Sequence, residues 1–357
     1  MSSFESAVHN AATDEYARLD QLLTLMARTT QESMHEIQQV NTQMRMISCN
    51  SRIEAARAGE RGKAFAVVTD EIKSLSDRTA VVADTLRKES SRSTAELKSI
   101  CHQISTQVRG TRLCDLALTN IDLIDRNLYE RSCDVRWWAT DASLVAALSS
   151  RTPAACAHAS ERMGVILNAY TVYFDLVLCD LDGTIIANGR PRQYASKGLD
   201  QSQEPWFRQA LRTSSGEQFG FQSVHESRLV KGKRALVYSA AVREDGHSRG
   251  RMLGALGIVF NYDALAQTIM HNTPISEHHR KSTRVCITDK EGLLLADSGE
   301  RILQEKLALP DQAVLQTEAK GYAITEIEGR PYCIAHARAP GFETYCTGWH
   351  SWIIQPL

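Results

Sequence analysis

FDLVLCDLDGTIIANG, residues 174–189, decides how the C-terminal half of this chain is read. An apolar run leads into Asp180-Leu181-Asp182-Gly183-Thr184, and a second apolar run follows. Two carboxylates two residues apart at the end of a buried strand suit phosphoryl transfer, the first as nucleophile and the second as general acid. The same residues suit a tight turn between two strands, because Asp side chains accept nearby backbone N–H groups and Gly takes a positive φ at no steric cost.

The surroundings favour the turn. A haloacid-dehalogenase-type phosphatase also needs a downstream Lys for the phosphate and a late acidic pair for magnesium. The late part of the chain has no Asp-Asp and no Gly-Asp-x-x-x-Asp after an apolar strand. Beyond residue 215 it reads as hairpins and not as alternating strands and helices. A faint repeat points the same way: CDLDGTIIAN (179–188) aligns with TDKEGLLLAD (288–297), pairing Asp180 with Asp289, Gly183 with Gly292 and Asn188 with Asp297. Strand, acidic turn with Gly, strand, occurring twice, predicts tandem modules of one type. Strands are expected over 175–181, 184–188, 218–225, 234–243, 252–261, 283–288, 292–297, 321–328, 331–338 and 349–354. AGERGK (58–63) has neither the spacing nor the preceding strand of a phosphate loop. His278-His279 lies on a polar loop that reads as surface. The expectation is a protein that is not an enzyme, with no cofactor and no metal.

Composition narrows the class. The 357 residues carry 41 Lys and Arg against 42 Asp and Glu, a net charge of −1, so no nucleic acid or anionic membrane is implied as a partner. Nine scattered cysteines without a Cys-x-x-Cys pair fit a reducing compartment. Residues 1–16 show no leader pattern, and no apolar run reaches the roughly 18–20 residues that cross a bilayer. A cytoplasmic location is expected.

The N-terminal part has another texture. Residues 13–110 contain no Pro, and Gly only at 59, 62 and 110. Leu19, Leu23, Met26, Thr30, Ser33, Ile37, Val40, Met44, Ile47 and Ser51 step alternately by four and three, the coiled-coil rule. Phe65, Val68, Ile72, Leu75, Thr79, Val82 and Leu86 resume it, and Leu97, Ile100 and Ile104 continue it more weakly. Two glycines between the runs allow a reversal near 58–60. This predicts a long antiparallel helical hairpin, pairing with a second copy as a dimeric four-helix bundle. Gly110 is expected to end it. A connecting long helix is read over 111–148.

The hairpin tip carries a specific resemblance. IEAARAGERGKAFAVVTDEIKSLSDRTA (53–80) is similar to the tip of bacterial methyl-accepting chemotaxis proteins. Glu54 to Glu60 match in full, as do Gly62, Phe65-Ala66-Val67-Val68, Glu71, Leu75 and Ala80. Ala64 stands where the family has a second glycine, and Arg45 and Arg52 interrupt the arm before the tip. The resemblance implies homodimers meeting as trimers of dimers through Asn50, Glu54 and Arg57. It also implies that a CheW-like adaptor and a CheA-like histidine kinase dock near Glu60, Phe65, Val67 and Val68. Glu32, Glu36 and Glu96 read as solvated helix faces before they read as methylation sites.

The remainder resembles a double Cache domain, a pair of PAS-like α+β sensor modules. The organisation expected is a signalling hairpin over 1–110 with its tip near 54–65, a connecting helix over 111–148, a first Cache/PAS-like module over 149–275 and a second, smaller one over 276–357. The resemblance implies that Trp206 and Phe207 wall a small-molecule pocket, although Trp206 reads equally well as a core aromatic. Tyr170, Tyr173, Arg208 and Tyr238 are further lining candidates. Glu204 stands where amino-acid binders carry an Arg, and Asn261 where they carry an Asp, so a cationic or uncharged metabolite fits better than an α-amino acid. The chain is expected to be a chemoreceptor-like transducer. The alternative is a scaffold or competitor at receptor tips, with the Cache-like half as a dimerisation unit.

Overall fold

The computed structural model of the chain describes residues 2–299 and 301–357, with side chains from residue 18 onward. The reading of residues 1–16 as free of a leader rests on side chains outside that set. Two compact units are present, Met1–Arg109 and Gly110–Leu357.

The first unit is a helical hairpin. Helix α1 (Ser2–Arg57) ends in one turn of 3-10 helix, Gly59–Gly62, and α2 begins at Lys63 and continues to Trp138. Gly59 takes φ +58°, the left-handed conformation a reversal needs. Apart from Leu23, which is buried, the arms do not meet through the large apolar residues of the heptad pattern. They meet along a line of small and polar ones: Asn41, Ser48 and Ala55 on α1, and Thr69, Ser76 and Ala83 on α2, with Gly62 at the turn, are buried at intervals of seven. Short side chains let the backbones approach closely. Ser48 Oγ donates to the Thr69 carbonyl at 2.7 Å, and Ser76 Oγ to Asn41 Oδ1 at 3.2 Å. At Gly62 a methyl group would collide with the Ala55 carbonyl oxygen. Arg45 and Arg52, which interrupt the family pattern, reach across to Asp77 (2.8 Å) and Asp70 (3.1 Å). These exposed pairs contribute at most about 1 kcal/mol each. The larger heptad residues Leu19, Met26, Val40, Ile47, Phe65, Val68, Leu75, Val82 and Leu86 are exposed.

In the second unit the expected break at Gly110 is absent, because α2 is helical through it. Glycine is there for packing: a methyl at Gly110 would land in the Tyr322 ring. The separate 111–148 helix is therefore corrected to the end of α2 and a short α3 (Ala142–Ser150). The chain turns where Asp141 caps α3, its carboxylate accepting the Ser143 N–H at 2.8 Å. Helix α4 (Pro153–Ala169) follows, capped by Thr152.

Strands β1 (Tyr173–Asp180), β2 (Ile185–Asn188), β3 (Gly220–Ser227), β4 (Lys233–Arg243) and β5 (Met252–Phe260) form an antiparallel sheet in the order 2-1-5-4-3, with α5 (Pro205–Leu211) between β2 and β3. Helices α6 (Tyr262–Asn272) and α7 (Glu277–Arg280) lead to the second sheet. It contains β6 (Arg284–Thr288), β7 (Leu294–Asp297), β8 (Lys320–Ile327), β9 (Arg330–Arg338) and β10 (His350–Pro356), in the order 7-6-10-9-8, with α8 (Gln312–Leu315) before β8. Counted from each first strand, the two orders are the same. All ten strands lie where alternation and turn residues predict them.

The repeat is reproduced atom by atom at the opening stretch. Asp180 Oδ1 accepts the N–H groups of Asp182 (3.1 Å) and Thr184 (3.0 Å), and Asp289 Oδ1 accepts those of Glu291 (3.0 Å) and Leu293 (2.8 Å). Gly183 and Gly292 take φ +90° and +85°. Asp180 is thus the acceptor of a turn, and its partner at the same place in the second sheet does the same work. Among the described residues no helix is long and apolar enough to cross a membrane.

Candidate functional site

At the hairpin tip the charged residues pair locally and the apolar ones stay open. Arg57 donates to Glu54 at 2.8 Å along one helix face, and Lys63 pairs with Glu60 at 2.5 Å across the turn. Asn50 is exposed beside them. Phe65, Val67 and Val68 are 57%, 70% and 52% exposed, on the first turns of α2. An open apolar set beside charged residues is a surface suited to burial against another protein. The tip residues singled out from the sequence therefore lie together.

The sensor candidates do not. Trp206 and Phe207 on α5 are buried against Val177, Val237 and Val259, on the face of the first sheet away from α2. Their rings meet edge to face at 5.8 Å. Trp206 lies over Gly257, where a β-carbon would come within 2.9 Å of the indole, and its carbonyl accepts the Ser239 hydroxyl at 2.7 Å. It fills the sheet face as a core aromatic. Tyr173 and Tyr238 belong to the opposite face, in the core shared with α2, and Tyr170 packs edge to face on Trp138 at 5.1 Å. Asn261 is occupied as the N-cap of α6, accepting the Ala264 N–H at 3.3 Å. Glu204 precedes α5 and accepts from Gln222 at 3.3 Å, and Arg208 is exposed. The candidates do not share one lining: the sheet separates Tyr173 and Tyr238 from Trp206 and Phe207.

Sequence reasoning missed the polar groups in the α2 core. Arg131 is buried against Asp134 (3.2 Å), with its guanidinium 5.4 Å from the Tyr173 ring and 5.6 Å from that of Phe260. Burial pushes the Tyr173 hydroxyl well above its ordinary pKa, so it stays a donor to Asp134. Asp125 is buried where the β9–β10 loop folds over α2, accepting from Gly341 N (2.9 Å) and from Thr347 N (3.3 Å) and Oγ1 (2.6 Å). Burial raises its pKa. In the same loop Tyr345 meets Tyr238 hydroxyl to hydroxyl. The available signal was a charged residue in or beside the buried heptad stripe: Arg131 occupies a position where Ile124 and Trp138 stand one heptad away. Among the described residues, no three His, Cys, Asp or Glu side chains converge to hold a metal.

With two sheets of one topology beside a long helix, the comparison with known families is direct. A Cache domain matches residues 79–357, most of the chain. The chain belongs to the Cache-domain family. A methyl-accepting chemotaxis protein signalling domain matches residues 5–126, so this Cache protein carries the chemoreceptor hairpin ahead of its sensor. The two matches overlap on α2. Among curated relatives, the methyl-accepting chemotaxis protein HlyB of Vibrio cholerae is 32% identical over 97 residues, 25% of this chain and 18% of that protein. The biofilm dispersion protein BdlA of Pseudomonas aeruginosa is 36% identical over 77 residues, 22% and 16%. The aerotaxis receptor of Escherichia coli is 44% identical over 52 residues, 15% and 10%. The chain thus spans less than a fifth of the length of these relatives. The sensor fold is shared with the sensor domain of the V. cholerae histidine kinase DctB, at a TM-score of 0.53 and 14% identity over 72% of this chain and 98% of that one. It is also shared with the sensory domain of the Campylobacter jejuni chemoreceptor Tlp3 with isoleucine bound, at 0.53 and 12% over 70% and 93%. The chain thus joins a methyl-accepting chemotaxis protein signalling domain to a Cache domain.

Proposed function

We propose that this Cache protein acts in the cytoplasm as a homodimer whose two PAS-like sensor modules bias a hairpin tip that docks a CheW-like adaptor and a CheA-like histidine kinase. The observation that carries the proposal is the tip itself: Phe65, Val67 and Val68 are open beside the turn, next to the exposed Glu54–Arg57 and Glu60–Lys63 pairs.

Helix α2 supports a route for the signal. Its heptad positions 65, 68, 72, 75, 79, 82 and 86 form the open apolar stripe of the hairpin. Continued without a skip, the same register reaches 110, 114, 117, 121, 124, 128, 131, 135 and 138, all buried within the sensor unit. One stripe therefore serves both units. A ligand acts through it to the extent that it favours one packing of α2 over another. A carboxylate at Glu204, on the α5 side of the first sheet, favours a cationic or uncharged metabolite over an α-amino acid.

The test is kinase autophosphorylation with purified CheA and CheW from the same host, run with the wild-type chain and with Glu60→Ala and Phe65→Ala. A change in kinase activity that both variants abolish is expected. Binding without a kinase effect would favour a scaffold, and no binding would refute docking at the tip.

A further inference from the structure

The second sheet holds a pair of histidines that the first sheet lacks. His336 on β9 and His350 on β10 are both buried. His336 Nε2 lies 2.6 Å from His350 Nδ1, so a single N–H is shared between the two rings, whose centroids are 4.9 Å apart. Trp352 packs on His336 at 4.4 Å and donates its indole N–H to Thr288 Oγ1 at 3.2 Å. His336 Nδ1 is buried without a hydrogen-bond partner.

The repeat identifies what the first module has instead. Strand pairing equates Cys286–Trp352 with Val177–Gly257, and Thr288–His350 with Cys179–Ala255. The His336–Trp352 pair corresponds to Ser239–Gly257. In the first module Trp206 descends from α5 onto the bare Gly257. In the second module the strand supplies its own indole, Trp352, and the two imidazoles stand where Ser239 and Ala255 stand in the first.

The groups facing the pair offer a proton no compensation. The charges that act on it are Arg338 on β9 and Lys290 in the β6–β7 turn, both cationic. On this face, which Leu315 of α8 covers, β6 contributes the neutral Thr288 and the buried Cys286 thiol, β10 contributes Trp352, and β8 contributes Gly321, opposite His336 and without a side chain. Burial, then the neighbouring His350 and Arg338, press His336 down to about 3, and burial with Arg338 and Lys290 lowers His350.

We propose that the second module is a proton-responsive element, in which protonation of the His336–His350 pair opens the α8-covered face of the second sheet while the first module stays closed. The closed face admits neutral imidazoles only. Once opened, the rings regain ordinary basicity and take up protons from water. One pH unit below the ordinary histidine pKa, each imidazole that is locked neutral favours the open form by about tenfold. The proposal is independent of what the hairpin tip binds.

Hydrogen exchange on the full chain tests it, as protection factors corrected for intrinsic exchange at about pH 7.5 and about pH 5.5. Protection of β8–β10 is expected to fall by about tenfold to a hundredfold on acidification, while that of β3–β5 holds or rises. In a His336→Gln, His350→Gln double variant the fall should vanish, since two facing amides keep a hydrogen bond and do not titrate. A parallel fall in both sheets, no fall at all, or a fall that survives in the variant would overturn the proposal. If the variant does not fold, imidazole NMR on the wild-type chain decides: two rings that stay neutral in the folded state at about pH 5.5 support the proposal, and ordinary midpoints near about 6.5 for both overturn it.

Discussion

Replacing Val40 and Val82 by serine separates the two jobs of the hairpin surface. Both valines lie on the open apolar stripe, 55% and 58% exposed, and neither belongs to the small-residue line between the arms. Fully burying a valine contributes about 1.5–3 kcal/mol, so the half left open has about 1 kcal/mol still to gain against a second copy. In a symmetric dimer each substitution counts twice, and the two together remove about 4 kcal/mol, or about a thousandfold in dissociation constant. Serine and valine have similar helix propensity, so the hairpin's own helicity should not change. Sedimentation velocity over a dilution series measures the first effect and far-ultraviolet circular dichroism the second. A shift in dissociation constant below about tenfold would refute the assignment of this stripe to a partner copy. Lost helicity without dissociation would show instead that the stripe supports the arms.

Two further perturbations probe the sensor unit. Gly110→Ala gains about 1 kcal/mol of helix propensity but drives a methyl into the Tyr322 ring, so a net loss of about 1–2 kcal/mol is expected by urea unfolding, with recovery in a Gly110→Ala, Tyr322→Ala double variant. Asp175 predicts a pH response. It accepts the N–H groups of Leu176 and Arg190 and the Asn188 amide, yet burial pushes it up to about 6. Between its unfolded value and about 6 the folded state binds the extra proton, so stability falls as pH rises through that window. Acidification from about pH 7 to about pH 5 should therefore stabilise the first module by about 1 kcal/mol, read as increased protection of β1 and β5 and flattened in Asp175→Asn.

The β half was legible because its signals are local. Asp180 and Asp289 each satisfy two backbone N–H groups within four residues, and Gly183 and Gly292 supply the positive φ, so sequence distance and spatial distance coincide. The sensor lining was not legible, because the two sides of a sheet are sorted by pairing and bulges as well as by spacing. Tyr173 has the odd numbering of Val177 and Cys179, but an irregularity between Tyr173 and Asp175 leaves it in the α2 core, apart from Trp206. The same limit explains the cross-strand pair that the repeat equates. Asp175–Asn188 and Arg284–Asp297 occupy matching places, but only the second is a salt bridge, at 2.8 Å. Arg284 holds the Asp297 carboxyl below its usual range, while a neutral Asn188 leaves Asp175 raised.

Gly110 and the heptad stripe show the boundary between what period can and cannot determine. A glycine after a hundred helical residues reads as a stop, but here it makes room for Tyr322, more than two hundred residues away. The stripe from Phe65 to Trp138 is a property of one helix, so its period is visible in the sequence alone. What covers it is a property of the rest of the chain. Across 89–107 the same register carries Glu89, Ser93, Glu96, Gln103 and Gln107, with Ile100 its one large apolar residue. Before this stretch the stripe is open, and after it the chain's own sheets close it. The polar stretch that weakened the coiled-coil signal therefore marks where the stripe of one continuous helix passes from open to covered. Propensity favours helix on both sides of it, which is why α2 does not break there.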